Sequence, residues 1–134
     1  MPKRAPAVVK LRFRHMRDDG GLTVQIDGLQ IRSEPNLHQH WSKKQPRKIA
    51  QRLIVLEAMR HAMPVGFSDG PLKVVFTRLG GKRMDPGNLG NGFKVVEDAF
   101  FACIGRDDGE EEIEILYRQE PGPSHAVRIS VDRV

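Results

Sequence analysis

Over residues 88–103, the apolar residues Leu89, Phe93, Val96, Phe100 and Cys103 follow one another at spacings of four, three, four and three. That rhythm puts all five on one face of a helix. Asn91, Lys94 and Asp98 fall on the opposite face, yet Val95, Phe101 and Ala102 flank them there. A helix that is apolar almost all round is buried on more than one side. Lys94 and Asp98 are therefore expected in a crowded setting, where each needs a polar partner.

Partners for such a helix are legible on either side of it. Val9, Leu11 and Phe13 alternate with Lys10, Arg12 and Arg14, which predicts a strand with one wet, basic face. Val24 and Ile26 make a short second strand. Asp27-Gly28 reads as a hairpin dipeptide leading to Leu29 and Ile31. The run LKVVFTRL, residues 72–79, is rich in β-branched and aromatic residues and predicts a central strand. Two more alternating runs follow, Ile113, Ile115, Tyr117 and then Val127, Ile129, Val131, with Pro-Gly-Pro-Ser turning between them.

A first helix precedes the central strand. Ser42 and Gln45 have capping-box spacing, whereas Pro46 favours the first helical position, so the start lies between positions 42 and 46. Ile49, Leu53, Leu56 and Met59 mark its expected buried face. Strands, helix, strand, helix, strands predicts one α+β domain over residues 1–134, two main helices packing on a mixed sheet. Residues 1–7 read as a loose basic arm.

Composition narrows the partners. Hydrophobic residues make up 39% and aromatics 6% of 134 residues, a lean core of the kind a second subunit completes, so a homodimer is expected. The formal charge of +5 favours a polyanionic partner. No acid lies between His38 and Leu56, while Lys43, Lys44, Arg47, Lys48 and Arg52 all do. That stripe is either a solvated face or a set of phosphate contacts. Lys82 and Arg83 add a basic connector before the second helix.

Other classes are excluded or unsupported. The lone Cys103 allows no intramolecular disulfide and fits a reducing compartment. No apolar run approaches the roughly 18 residues of a membrane span. The N-terminus has no signal-peptide core, so a cytoplasmic protein is expected. Gly81-Lys82 is followed by Arg83 rather than Ser or Thr, and Gly87, Gly90 and Gly92 have the wrong spacings for a dinucleotide loop, so no nucleotide cofactor is expected. His38, His40 and a distant Cys103 do not make a zinc set.

The chemistry concentrates in residues 83–108. An acid opens the second helix in Asp85-Pro86-Gly87-Asn88, Lys94 and Asp98 lie within it, and Asp107-Asp108 follow it. Each acid has a structural alternative. Asp85 suits an N-cap before Pro86, Lys94 and Asp98 suit an i, i+4 ion pair, and Asp107-Asp108-Gly109 suits a turn. Together they suggest more, because adjacent carboxylates repel unless a cation or several donors lie between them. Mg²⁺ takes one or two carboxylates and completes its shell with water and phosphate oxygens. A nearby lysine stabilises developing negative charge. Asp85, Asp107 and Asp108 as metal ligands, with Lys94 assisting and Asp98 and Asn88 in support, point to phosphodiester hydrolysis.

These residues resemble the RusA-like family of Holliday-junction resolvases of bacteria and their phages. In that family an acid-x-acid-Asn-Leu segment opens a helix that carries a lysine and, four residues on, an aspartate, and an Asp-Asp pair follows. Asp85, Asn88, Leu89, Lys94, Asp98, Asp107 and Asp108 stand at matching positions, with the longer phage-type spacing from Asn-Leu to lysine. The stretch SEPNLHQHW and residues 117–119 are also similar, so the resemblance covers roughly residues 22–132. It implies a homodimer that binds four-way DNA junctions and cuts them symmetrically with Mg²⁺, Mn²⁺ being a possible substitute. One position departs: the second acid of the opening segment is Gly87 here. A branched-DNA-binding relative without catalysis is the alternative that this departure leaves.

Overall fold

The computed structural model describes residues 11–18, 20–32, 41–62, 64 and 66–134. The expected basic arm and Val9 lie outside those residues. The elements are β1 (Arg12–Asp18), β2 (Gly21–Asp27), α1 (Trp41–Ala62), β3 (Leu72–Leu79), α2 (Pro86–Gly92), α3 (Lys94–Ile104), β4 (Ile113–Glu120) and β5 (Ala126–Arg133).

The five strands form one sheet in the order β1-β2-β5-β3-β4. Only the β3–β4 pair is parallel, with Phe76 opposite Tyr117, and the other pairs are antiparallel. The chain is thus α+β with a mixed sheet. The strand expected to be central is flanked by β5 and β4, and all of its residues except Lys73 are buried. Such two-sided burial is what its near-continuous apolar run anticipates.

Phe76, Phe93 and Phe100 are fully buried, with the Phe100 ring edge-on to Phe76 at 5.8 Å. Leu72, Val74 and Phe76 on β3 share this core with Val127, Ile129 and Val131 on β5. Alternate strand positions face opposite sides, so this set defines the helix-covered side of the sheet.

Three expectations are corrected. The helix expected over 88–103 is two helices, interrupted for one residue at Phe93 (φ −85°, ψ −5°). The Phe93 amide divides its hydrogen bond between the Leu89 and Gly90 carbonyls, both at 3.2 Å. Gly92 lies where the chain leaving β2 passes closest: a Cβ there would stand 2.7 Å from Ile31 Cγ2 and 2.9 Å from the Arg32 carbonyl oxygen. The glycines that permit this approach also weaken the helix locally.

Asp27-Gly28 does not turn a hairpin. The last pair of the β1–β2 hairpin is Asp18 with Gly21, Gly20 has φ 81°, and Gly28 instead donates its amide to the His125 carbonyl at 2.8 Å.

The third correction concerns α1, which begins at Trp41, just before the expected window, and contains Pro46 within it. Val55, Ala58, Met59 and Ala62 form its buried stripe, and Leu56 is partly buried. Ile49 and Leu53 are 57% and 60% exposed. Two overlapping apolar stripes run along this helix, and packing selects the one with the smaller side chains.

The β4–β5 connection passes over the end of β3. A Cβ on Gly80 would come within 2.5 Å of the Ser124 carbonyl oxygen, and Gly80 has φ 78°. Only glycine meets both conditions.

Candidate functional site

Helix α3 starts at Lys94, so Lys94, Glu97 and Asp98 occupy i, i+3 and i+4 and gather on one side of its first turn. The helix ends at Gly105 (φ 70°), and the Arg106 amide reaches back to the Phe101 carbonyl at 3.0 Å. This left-handed stop turns the chain back along the helix. The returning loop is tied at several points. Arg106 donates to the Gly70 carbonyl at 2.7 Å and pairs with Glu110 at 3.0 Å. The Asp107 amide donates to Glu110 at 2.9 Å.

The result is a focus of charge on the Lys94 ammonium. Its Nζ lies 3.2 Å from Asp108 Oδ2, 3.4 Å from Asp98 Oδ1 and 3.8 Å from Glu97 Oε2. One carboxylate oxygen from each acid lies within 4.8 Å of the others, and this is the group of potential metal ligands found among the described residues. Lys94 itself is 61% exposed, so the crowded environment expected for it is corrected: crowding by charge replaces burial.

Glu97 was not singled out by the sequence. It is 4% exposed and accepts a short hydrogen bond from the Tyr117 hydroxyl. Its position at i+3 from Lys94 was the available signal, masked by the apolar residues around it. Burial pushes the Glu97 carboxyl up from its ordinary value, with Asp108 adding to the rise. Asp108 moves down, held by its contact with Glu97 first and then by Lys94 and Asp107. The shared proton thus favours Glu97 over Asp108. Lys94 is raised, chiefly by Asp108 and then by the charge of Asp98. Tyr117 is also raised, by burial and by Glu97.

The acids expected as ligands do not all gather in one group. Asp108 and Asp98 both lie beside Lys94, and the third carboxylate near them is that of Glu97. Asp107 stands outside the three-carboxylate group, and its Oδ1 accepts the Gly109 amide at 3.1 Å. Asp85 is also outside it. Asp85 takes the N-cap position of α2 (φ −61°, ψ 145°), and its carbonyl accepts the Leu89 amide at 2.9 Å, but its exposed side chain caps nothing. Asn88 is half-buried in the first turn of α2.

Strand β4 relates Asp85 to the cluster. Gln119 bonds both the amide (2.8 Å) and the carbonyl (2.7 Å) of Met84, the residue before Asp85. Tyr117 and Gln119 are alternate residues on one side of β4, about 7 Å apart along the strand. One strip of β4 thus docks both the Glu97 end and the Asp85 end of the segment.

The donor set, three carboxylates, fits a hard divalent cation. The ammonium already sits where the three carboxylates converge, so the position between them is one that favours positive charge. Of the basic residues expected to meet DNA, Arg47 and Lys48 are half-buried on α1, and Arg52, Lys82 and Arg83 are exposed. The side chains of Lys43 and Lys44 lie outside the described residues. Arg52 is close enough to Cys103 to oppose the upward pull of burial on that thiol.

No protein-family model and no curated protein matches the chain. Among solved structures it is similar to the cell wall anchor of the T6SS from Pseudomonas aeruginosa, at 15% identity and a TM-score of 0.43, covering 92% of this chain and 89% of that one. A likeness of that size carries no inference about this chain. None of the described helices is long and apolar enough to cross a membrane.

Proposed function

We propose that this chain is a Mg²⁺-dependent endodeoxyribonuclease that resolves branched DNA such as four-way junctions, acting as a homodimer, with Mn²⁺ able to replace Mg²⁺. The observation that carries the reading is the convergence of Glu97, Asp98 and Asp108 on one positive centre at Lys94. The residue pattern shared with RusA-like resolvases supports the choice of substrate.

In this reading Asp108, Asp98 and Glu97 would hold the metal, with Asp85 and Asp107 outside that group. Bound there, a divalent ion supplies Lewis acidity toward phosphate and a nucleophilic water near neutral pH. Lys94, whose ammonium faces the three carboxylates, would donate to a non-bridging phosphate oxygen as negative charge develops. Tyr117 fixes the Glu97 carboxylate. Glu97 must be ionised to act as a ligand, against the burial that favours its neutral form, so metal binding strengthens as pH rises. Arg52, Lys82, Arg83 and the α1 cations contact the DNA backbone, while Ile49 and Leu53 offer an apolar surface to a second subunit.

A second reading, a branched-DNA-binding protein that does not cut, is favoured by two observations. The Lys94 ammonium already occupies the point that the three acids face, and position 87 offers no carboxylate. A Cβ at Gly87 would meet nothing within 4 Å, so an aspartate fits there. Gel cleavage of a synthetic four-way junction, with and without Mg²⁺ or Mn²⁺, separates the two. Cutting by the native chain that disappears in Asp108→Asn supports the nuclease, and undiminished cutting by that variant removes it. An inert native chain that cuts once Gly87→Asp is introduced assigns the second reading.

A further inference from the structure

Beside the acidic cluster, and separate from it, lies a pocket of about 550 Å³ at the end of β3. Arg78, Gly81, Arg83, Pro86, Leu89 and Tyr117 are among the described residues that line it. Its volume lies within the range of about 300–1,000 Å³ typical of small-molecule sites.

Arg78 is the unexpected member. It is 7% exposed, and burial lowers its pKa, yet among the described residues no carboxylate pairs with it. Two backbone carbonyls hold it instead, Nε donating to Ile31 at 3.3 Å and Nη1 to Lys82 at 2.7 Å. Neither acceptor carries a full charge, so the guanidinium keeps its positive charge in a largely desolvated place. A buried cation without a counter-ion is costly, and an anion is the group that offsets it. Its Nη2 lies against Gly81, where a Cβ would stand 2.7 Å from it and 2.9 Å from His125 Cε1, so a glycine at position 81 lets the backbone pack closely against the guanidinium.

Arg118, Gln119 and Glu120, whose carboxylate pairs with Arg128 at 3.2 Å, also line the pocket, and only part of the wall is apolar. Tyr117 is 37% exposed, and its ring lies nearly parallel to Phe76 and Phe93, at 6.0 Å from each. Pro86 and Leu89 continue this apolar side. Arg83, an exposed residue of the lining, has no acidic partner among the described residues. The fixed guanidinium recognises a phosphate, and the tyrosine ring and apolar wall suit the face of a base.

We infer that this pocket receives one nucleotide of a DNA strand, its phosphate on Arg78 and Arg83 and its base against Tyr117. The inference rests on the nuclease reading only for the source of the nucleotide. Because Tyr117 also bonds Glu97, a nucleotide seated there places the adjoining phosphodiester next to the acidic cluster. A strand leaving one duplex arm for another offers such a unit, with a base free of its stacking neighbour.

The test is a titration of the ¹⁵N-labelled full chain with thymidine 5′-monophosphate in EDTA, followed by NMR. Inorganic phosphate and thymidine serve as separate probes. The expected result is saturable shifts of the Arg78 Nε–H and the Gly80 and Gly81 amides, accompanied by shifts at Tyr117. Phosphate alone is expected to move only the arginine and glycine signals. Arg83→Glu, an exposed change that leaves the fold intact, is expected to weaken the mononucleotide about tenfold. No saturable shift, or identical shifts from phosphate and nucleotide, overturns the inference. An unchanged affinity in Arg83→Glu does the same. The readout needs neither metal nor cleavage. A chain that binds the mononucleotide but never cuts DNA therefore leaves the pocket standing and removes the nuclease, and the reverse result does the opposite.

Discussion

The Tyr117 hydroxyl donates its hydrogen to Glu97, joining the edge strand of the sheet to the helix that carries the acids. The contact fixes a buried carboxylate that no backbone group holds among the described hydrogen bonds. Tyr117→Phe keeps the ring packing on Phe76 and Phe93 and removes only the donor. Leaving a buried acceptor unsatisfied costs about 1–3 kcal/mol, so urea unfolding is expected to shift by that amount. Because Tyr117 opposes the rise of the Glu97 pKa, Mg²⁺ binding in the variant should also require a higher pH. An unchanged midpoint would mean that the hydrogen bond has no structural role.

Glu97 and Asp108 give opposite pH dependences. Glu97 is raised in the fold, so its contribution is complete below its unfolded pKa and is lost as pH rises through the folded value. Asp108 is lowered, so its contribution is present above its unfolded pKa and is lost as pH falls through the folded value. In Glu97→Gln only the acid-side loss remains. Melting curves in EDTA at neutral pH should place this variant a few degrees above the native chain. Added Mg²⁺ should stabilise the native chain and leave the variant unmoved.

Cleavage should depend on the same residues. Asp108→Asn and Glu97→Gln are each expected to lower the rate of four-way-junction cutting about 10²-fold or more, since each removes a ligand charge. Asp107→Asn, whose carboxylate is turned to the Gly109 amide, is expected to have a smaller effect. Single-turnover rates on one junction substrate rank the three. Equal losses at Asp107 and Asp108 would restore the ligand set expected from sequence.

Lys94→Met retains the aliphatic stem and removes the charge that three carboxylates face. Exposed ion pairs contribute about 1 kcal/mol or less each, so the loss of stability in EDTA should be modest and greatest at low salt. The rise in Tm on adding Mg²⁺ should be larger than in the native chain, because no ammonium competes for the site. Cleavage should nevertheless fall.

The outer side of α1 tests the homodimer. Ile49→Asp and Leu53→Asp change exposed positions, so monomer stability should move by no more than about 0.5 kcal/mol. Sedimentation velocity should show the native chain as a dimer and the double variant as a monomer. Identical sedimentation would leave that face as ordinary surface.

Much of this architecture was legible where one physical signal dominated. The β-branched run of β3 and the alternation in β5 each met a single demand, burial, and became strands at the expected places, as did β4, where Ile113 is buried and Tyr117 exposed. The apolar face of Leu89, Phe93, Val96 and Phe100 was likewise readable, since those spacings survive the interruption at Phe93. That interruption was not legible, because it depends on Ile31 approaching Gly92 from a distant part of the chain. The buried stripe of α1 was misjudged for a related reason: local periodicity offers two stripes, and only tertiary packing chooses between them. Within the site, Lys94 and Asp98 stood out as polar residues amid apolar ones, and Asp108 as one of two adjacent carboxylates. Glu97 did not, because its importance comes from Tyr117, twenty residues away in sequence and adjacent only through the parallel pairing of β3 and β4.

The clamp that Gln119 places on Met84 has a consequence for how this chain tolerates change. Tyr117 and Gln119 grip opposite ends of the α2–α3 crossover from one ribbon of backbone, so a one-residue deletion or insertion in β4 between them would reverse the outlook of one and not the other. Length variation should therefore accumulate outside this interval, in the Pro-Gly-Pro-Ser turn or ahead of β4. A library of single-codon indels scored for soluble expression should show a sharp intolerant window at positions 117–119.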